Sequence, residues 1–579
     1  MDTMARRCPI WILSGASPDW SDYTDELLRL GGLASSEVVS REMWLNDTSR
    51  PAVAVVAGEG TGDDALMSSL RHFVSEGGWL VLFAPMGPLA ELAGLEDQGA
   101  ETGPFRLREI LPLFSHMPGA PLEVRGMVRR YVLREGRELA RLTIPDCPEE
   151  SPGLVERPVG AGGVLTFCYP LPACVARLRQ GDPALQGAHC QYDEVPRPLN
   201  LFQRDVRVDA AWYPQADLHA RLLVDMIERK IAGCYPLPRL WHLPAESRAL
   251  VLFSGDEDGA SFDQTADELE GVARFGGTGT LYAMSGSSLT REQVRQLEAE
   301  GHDLSAHPNC REAYKDGGVE PALATAVREL ETIRTKLGVQ ARTIRNHCLC
   351  WPGYLELAEV WERQGVRMDT NFVTGFSFWG RDWAPYMTGS GLPLRFCHLD
   401  GRRIEVYQQP THFEDDVQLH PTVSYSYQWS AELALAIMAR VLSESLEVYH
   451  EPICLNVHPT NFARYSGDWA RAFLSCAAGR GVPIWSLERW LDFWETREQV
   501  TLRNFGWQGG VLSAEIEGPP HPDLRCLVPG AFGDLRLKQV ELDGAPVAGS
   551  WMSYLGREWQ CVPLSAMEGM HTVRMLYRG

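Results

Sequence analysis

The stretch ALVLFSGDEDG, Ala249–Gly259, decides how the middle of this chain is read. Ala249–Phe253 is an unbroken apolar run, the pattern of a strand buried on both faces. The chain then delivers Asp256, Glu257 and Asp258 to one point, with Gly259 after them. Carboxylates that close raise one another's pKa unless a cation or a donor network sits among them. A buried strand ending in acids therefore implies a metal, a general base or a solvated turn. An EF-hand-like calcium loop does not fit, because its glycine falls two positions later than Gly259 stands.

Outward from this strand, residues 245–498 alternate strand and helix. Strands are predicted at Leu250–Ser254, Thr278–Met284, Asp303–His307, Thr343–His347, Arg367–Phe372, Ile404–Gln408, Ile453–His458 and Pro483–Trp485. Between them, Thr290 reads as an N-cap with Gln293 as capping-box partner and Gly301 as stop. Two further helical patterns end at Gly338 and Gly365, and Ser430–Ser445 is another helix. Repeated βα units predict a barrel of parallel strands, in which chemistry sits at the C-terminal strand ends. Those ends carry Asp256–Asp258, His307, Arg345 with His347, Asp369 and His458 in chain order. His302, at a strand start, reads as structural.

The flanks differ. In residues 1–240, Pro9–Gly15, Ala52–Gly58 and Trp79–Pro85 are short apolar strands, Ala65–Gly78 is a helix and Ala216–Ile231 is an amphipathic helix. Strand, helix, strand with short connections predicts βαβ units and a parallel sheet. Cys234–Pro244, with three prolines, reads as a linker. Residues 500–579 alternate apolar and polar between Gly- and Pro-containing turns, which predicts a small antiparallel β-sandwich. The fold class is thus α/β in three parts: a flavodoxin-like domain, a distorted barrel and the sandwich.

Bulk properties narrow the function. The chain has 579 residues and a formal charge of −22, which argues against nucleic-acid partners and anionic lipid. No apolar run reaches the roughly 20 residues of a membrane span, and Pro9–Leu13 is too short for a signal peptide core. The 14 cysteines are scattered without a CxxC pair. That pattern suggests reduced thiols and a cytoplasmic setting. A homo-oligomer is compatible with the sequence.

Residues from about 249 to 490 resemble the polysaccharide deacetylase (NodB-like) family, carbohydrate esterase type 4. The resemblance implies a distorted (β/α) barrel that holds a divalent metal, usually zinc, through an Asp and two His. SGDEDG is similar to the family's Thr-Phe-Asp-Asp-Gly motif, which implies Asp258 as a metal ligand. The general base is then Glu257 by strict alignment, or Asp256 if the chain carries one extra residue. Alternation along an extended segment puts Asp256 and Asp258 on one side, which favours Asp256. His307 matches the first His of the family's His-x-x-x-His motif, but four residues on stands Arg311. A ligand is missing there, and His347 on the next strand could supply it. IRNHCLCWPGY resembles the motif whose Arg orients the base, here Arg345, with Trp351 and Tyr354 expected at the substrate. LNVHPTNF resembles the last motif, with His458 as general acid.

Residues 1–240 resemble the glutamine-amidotransferase-like domain, without its nucleophile: the turn FAPMGPLA carries Met86 and no Cys. The expected activity is metal-dependent hydrolysis of a carbon–nitrogen bond other than a peptide bond. It would remove an N-acyl or N-acetyl group from a sugar or small glycoconjugate. Loop aromatics Phe372, Phe376, Phe378, Trp379, Trp383, Tyr386, Tyr425, Tyr427 and Trp429 could stack on sugar rings. The alternative is a non-catalytic carbohydrate-binding or scaffold protein with a decayed deacetylase site.

Overall fold

The computed structural model describes residues 3–6, 8–15, 18–58, 63–108, 122–143, 150–190, 193–204, 206–375, 382–564 and 569–579. Strand Leu250–Asp256 is buried along its whole length and lies inside a curled sheet of mostly parallel strands. On one side it pairs with Thr280–Ala283, which leads to Asp303–Ala306, Thr343–Ile344, Met368–Asp369 and Arg403–Gln408. On the other it pairs with Pro452–Asn456, which in turn pairs with the short strand Phe413–Glu414.

The central strand also switches neighbours along one edge. Its start, Val251–Leu252, pairs with Ile484–Trp485, and its end, Ser254–Asp256, pairs with Thr280–Tyr282. This division distorts the barrel. The eight predicted strands are all present, several of them shorter than the sequence suggests. Leu394–Cys397 and Phe413–Glu414 were not foreseen, because each is too short and too polar in its surroundings to show a period.

The predicted caps form. Thr290 and Gln293 make a reciprocal capping box on Arg291–Ala299. Helix Val319–Leu337 ends on Gly338 in the left-handed conformation, where glycine carries no Cβ penalty.

Residues before the barrel build a nine-stranded sheet. Ser36–Val39, Ile10–Leu13, Val53–Val56, Trp79–Phe83 and Gly162–Phe167 run parallel, and Glu150–Val159, Arg137–Thr143, Phe105–Arg108 and Leu122–Val124 follow antiparallel. Helix Leu171–Gln180 carries this part onto the barrel sheet's antiparallel edge strand. Gln180 donates to the Cys397 carbonyl at 2.9 Å and accepts from the Cys397 N–H at 2.7 Å. Arg179 donates to the carbonyls of Leu392 and Gln408 at 2.9 and 2.8 Å. These side chains satisfy backbone groups that would otherwise stay open at a sheet edge.

The chain after residue 500 forms two antiparallel sheets, whose apolar residues Leu502, Ile516, Cys526, Val528, Val540 and Val562 line one small void. Neither sheet is local. Thr3–Arg6 pairs with Thr501–Gln508 in one, and Arg239–Leu240 pairs with Arg525–Pro529 in the other. The segment read as a linker is therefore structural: Tyr235, Leu237, Trp241 and Leu243 are buried. Prolines there fix an extended path into an edge strand, a role that composition does not distinguish from a tether. No disulfide joins the described cysteines, most of which are buried. No helix among the described residues is long and apolar enough to cross a membrane.

Helix Gln215–Ile231 buries His219 completely. The Tyr169 hydroxyl lies 3.0 Å from its Nδ1, and its Nε2 lies 2.8 Å from the Glu123 carbonyl oxygen. Burial lowers its pKa from 6.5 to about 4. The unfolded imidazole takes a proton first as pH falls, so stability is full above pH 6.5 and declines toward pH 4. One such group contributes up to about 3 kcal/mol over that window. We expect the apparent Tm of the protein to fall between pH 6.5 and 4. In His219→Gln it should fall less steeply; an unchanged slope would exclude this group from the acid response.

Candidate active site

The C-terminal strand ends open into a cleft of about 170 Å³, lined by Asp256, Asp258, His307, Glu414 and His458 among others. Gly255 lies just before the first of these residues, where two strands pack closely. A Cβ at that position would stand 2.5 Å from the Val457 carbonyl oxygen and 2.8 Å from a Glu268 oxygen. Only glycine lets the two strands approach this closely just before they reach Asp256 and His458.

Asp256, on the last residue of its strand, is buried. Arg345 Nη1 donates to its Oδ1 at 3.1 Å and Asn456 Nδ2 donates to its Oδ2 at 2.9 Å. Burial opposes ionisation, but His307, Arg345 and His458 outweigh it and hold Asp256 below the ordinary carboxylate range. Arg345 is itself fully buried, and also donates to Ser254 Oγ at 3.0 Å, Thr411 Oγ1 at 3.1 Å and the Thr370 carbonyl at 3.3 Å.

Asp258 sits in the turn that follows, at φ +42°. Its Oδ1 lies 3.3 Å from His307 Nε2 and 3.2 Å from His347 Nδ1. One ligand atom from each of these three side chains falls within 4.8 Å of the others. The far nitrogen of His307, Nδ1, lies 2.8 Å from the Arg345 carbonyl oxygen. That contact fixes Nδ1 as a donor and turns Nε2 toward Asp258, where it shares a proton with the carboxylate and is the nitrogen free to meet a cation in that proton's place. Hydrogen bonds from His307 and His347 outweigh burial and keep Asp258 well below the usual carboxylate range. A carboxylate and two imidazoles are a donor set that suits zinc or a similar divalent ion.

His458 follows strand Pro452–Asn456, and Asp415 positions its ring. Nδ1 lies 2.7 Å from Asp415 Oδ1, and Asp415 also accepts from Ser466 Oγ at 2.7 Å and Asn461 Nδ2 at 3.2 Å. Nε2 then faces Asp256 and Asp258, at 4.0 and 3.8 Å. Burial disfavours the charged ring, but Asp415 and the other nearby acids hold its pKa well above the ordinary value.

The structure brings together Asp256, Asp258, His307, Arg345, His347 and His458. Glu257 turns away: its Oε2 accepts from the Met284 N–H at 3.4 Å, just past the end of the neighbouring strand. Trp351 and Tyr354, expected at the substrate, do not line the cleft. Trp351 is buried, donates to the Tyr354 carbonyl at 2.9 Å and stacks on Phe396. The Tyr354 hydroxyl turns outward from the barrel to Gln180 and the Gly181 carbonyl, both at 3.4 Å. Apolar rings at a strand end filled the barrel core here instead of its mouth.

Of the loop aromatics, Tyr425 lines the cleft and donates to Asp416 at 3.2 Å. Phe372, Trp383 and Tyr386 are buried, and Phe376, Phe378 and Trp379 lie outside the described residues. Asp369 is buried and caps Asn371, and His302 accepts from the Gly279 N–H at 3.1 Å in a structural role.

Sequence reasoning missed four contributors. Glu414 ends a strand too short to register and Asp415 follows it, so Asp415 alone was within reach of an acid-after-strand rule. Asp193 and Arg197 come from the part of the chain before the barrel, where no local pattern points to a site.

No protein-family model matches this chain, and no curated protein matches it. Solved structures similar to it include Agd3, described as a novel carbohydrate deacetylase, at 10% identity over 99% of both chains with a TM-score of 0.40. A putative polysaccharide deacetylase from Mycobacterium smegmatis is similar at 14% identity over 44% of this chain and 93% of its own, with a TM-score of 0.35. A β-galactosidase from Rahnella sp. R3 is similar over 28% of this chain and 29% of its own at 11% identity, with a TM-score of 0.24.

Proposed function

We propose that this chain is a metal-dependent hydrolase that removes an N-acyl group, such as acetyl, from a sugar or small glycoconjugate. The observation that carries the reading is the convergence of an Asp–His–His donor set, a clamped carboxylate and a clamped imidazole on one cleft. Asp258, His307 and His347 would hold the divalent ion, zinc by donor type. When bound, the ion supplies Lewis acidity at the acyl carbonyl. The position of the second motif His is taken by Arg311, and His347 would provide the third ligand from the turn after the next strand.

Asp256 is the general base. Arg345 and Asn456 occupy one lone pair on each of its oxygens, so it stays ionised and keeps one fixed direction for accepting a proton from the attacking water. His458 is the general acid. Asp415 keeps its ring charged and aims Nε2 into the cleft, where it gives its proton to the leaving nitrogen as the C–N bond breaks. The products are an amine and a carboxylate. The protons taken up and given out balance once Asp256 and His458 exchange with solvent.

For the rest of the chain we propose division into 1–240, 245–498 and 500–579. The first part acts as an amidotransferase-like scaffold: its turn after Trp79–Phe83 holds Ala84 at φ +41° and places Met86 before helix Gly87–Leu92. A cytoplasmic setting is part of the same reading, on the scattered cysteine pattern of the sequence.

Elemental analysis of protein incubated with zinc is expected to show about one ion per chain, lost in Asp258→Ala and in His347→Ala while both variants stay folded. No stoichiometric metal in the wild type would favour the scaffold reading instead. With N-acetylated sugars as substrates, Asp256→Asn should keep its metal and lose turnover by roughly 10²–10⁴-fold; turnover at the wild-type rate would remove Asp256 as the base. Arg345→Met takes the guanidinium away from the buried carboxylate of Asp256 and leaves Ser254 Oγ, Thr411 Oγ1 and the Thr370 carbonyl without their donor. It should cost about 3–5 kcal/mol of stability, measured by denaturant unfolding.

A further inference from the structure

The cleft has a wall that the barrel does not make. Segment 193–204, from the chain before the barrel, crosses its mouth and contributes Asp193 and Arg197. Arg197 is buried and fully occupied. It donates to both oxygens of Asp193 at 2.8 and 2.7 Å and to the Cys348 carbonyl at 3.0 Å. Its charge is therefore spent on Asp193. Beside this pair stands Arg311, which also lines the cleft.

Arg311 is differently placed. Its closest acids are Asp193 at 3.6 Å and the exposed Glu312 at 3.7 Å, and both approach Nε. Its side chain makes no hydrogen bond among the described residues, and its Nε is shielded from solvent without a partner. Helix Arg311–Gly317 begins at this residue, so its backbone position is fixed while the guanidinium extends over the cleft. A guanidinium in this state is a planar fork awaiting two acceptor oxygens.

We infer that Arg311 selects a substrate that carries a carboxylate, which it binds in bidentate fashion at the mouth of the cleft. This rests on the deacetylase reading above. The charge inventory favours a carboxylate over a phosphate monoester. Asp193 is neutralised by Arg197, Asp256 by Arg345, and Asp258 faces His307 and His347. Glu414 and Asp416 remain nearby as lining acids. The planar fork of Arg311 matches the two coplanar oxygens of a carboxylate and carries one charge, which a carboxylate balances and a phosphate dianion exceeds. An acylated sugar acid fits this pattern, and a neutral acylated sugar leaves Arg311 without its acceptors.

The test compares N-acetylglucosaminuronic acid with N-acetylglucosamine, which differ at one carbon, and with N-acetylglucosamine 6-phosphate. Binding to the zinc-loaded full chain is measured by calorimetry, and turnover separately. The wild type should bind the uronic acid about tenfold or more tighter than the neutral sugar, and the phosphate more weakly than the uronic acid. Arg311→Gln should erase the difference while leaving affinity for the neutral sugar unchanged, and Arg311→Lys should restore part of it. Equal binding of acid and neutral sugar by the wild type would overturn the inference. So would binding of neither, preference for the phosphate, or equal losses for both sugars in Arg311→Gln. Because binding is read without turnover, a preference for the acid without hydrolysis would overturn the activity and keep the carboxylate site.

Discussion

The guanidinium of Arg345 is the interaction on which the site depends. It is wholly buried, and its donors reach Ser254 and Asp256 on the central strand, the Thr370 carbonyl after the fifth and Thr411 near the short strand beyond. It also lies 4.9 Å above the Tyr282 ring on the second strand. A charge taken out of water must be met on nearly every side. Meeting it here requires several strand ends to arrive together, so the same contacts that satisfy the cation fix the relative heights of the strands. The Arg345 carbonyl adds a further constraint by holding His307. One residue thus orients both the carboxylate and one of the imidazoles.

The part of the chain before the barrel is built into this arrangement and does not merely precede it. Arg179 and Gln180 close the open edge of the barrel sheet with backbone-directed hydrogen bonds. Asp217 accepts from Ser390 Oγ and the Gly391 N–H at 2.6 and 2.9 Å, and Glu26 accepts from the Arg395 N–H at 2.9 Å. These are buried polar contacts whose partners come from the two sides. Removing either side would leave unsatisfied groups in an apolar setting, at about 1–3 kcal/mol each. The wall made by Asp193 and Arg197 is held by the same junction.

Much of the barrel was legible because its signal is local. Apolar runs ending in polar residues mark strands, and Gly338 or the Thr290–Gln293 pair mark helix ends, each through contacts within a few positions. The strand-end residues that meet in the cleft were legible for the same reason. Trp351 and Tyr354 were misread because sequence shows that a ring is near a strand end but not which way it turns. That direction depends on Phe396 and Gln180, which come from distant positions. Asp193 and Arg197 left no trace, since they reach the cleft only through packing between parts of the chain. The segment around Arg239 misled in the opposite direction: proline-rich composition fits both a free tether and a fixed edge strand.

The pairing of Thr3–Arg6 with Thr501–Gln508 has a consequence for the order of folding. During synthesis at roughly 5–20 residues per second, the first strand waits on the order of half a minute to a minute and a half before its partner leaves the ribosome. Arg239–Leu240 waits in the same way for Arg525–Pro529, though for less time. Both are short extended segments whose backbone groups meanwhile have no sheet to join. The barrel can assemble while they wait. These sheets then act as a clasp that closes only after residues 501–529 have been made, and a product truncated before residue 500 would expose two unpaired strands for quality control to find.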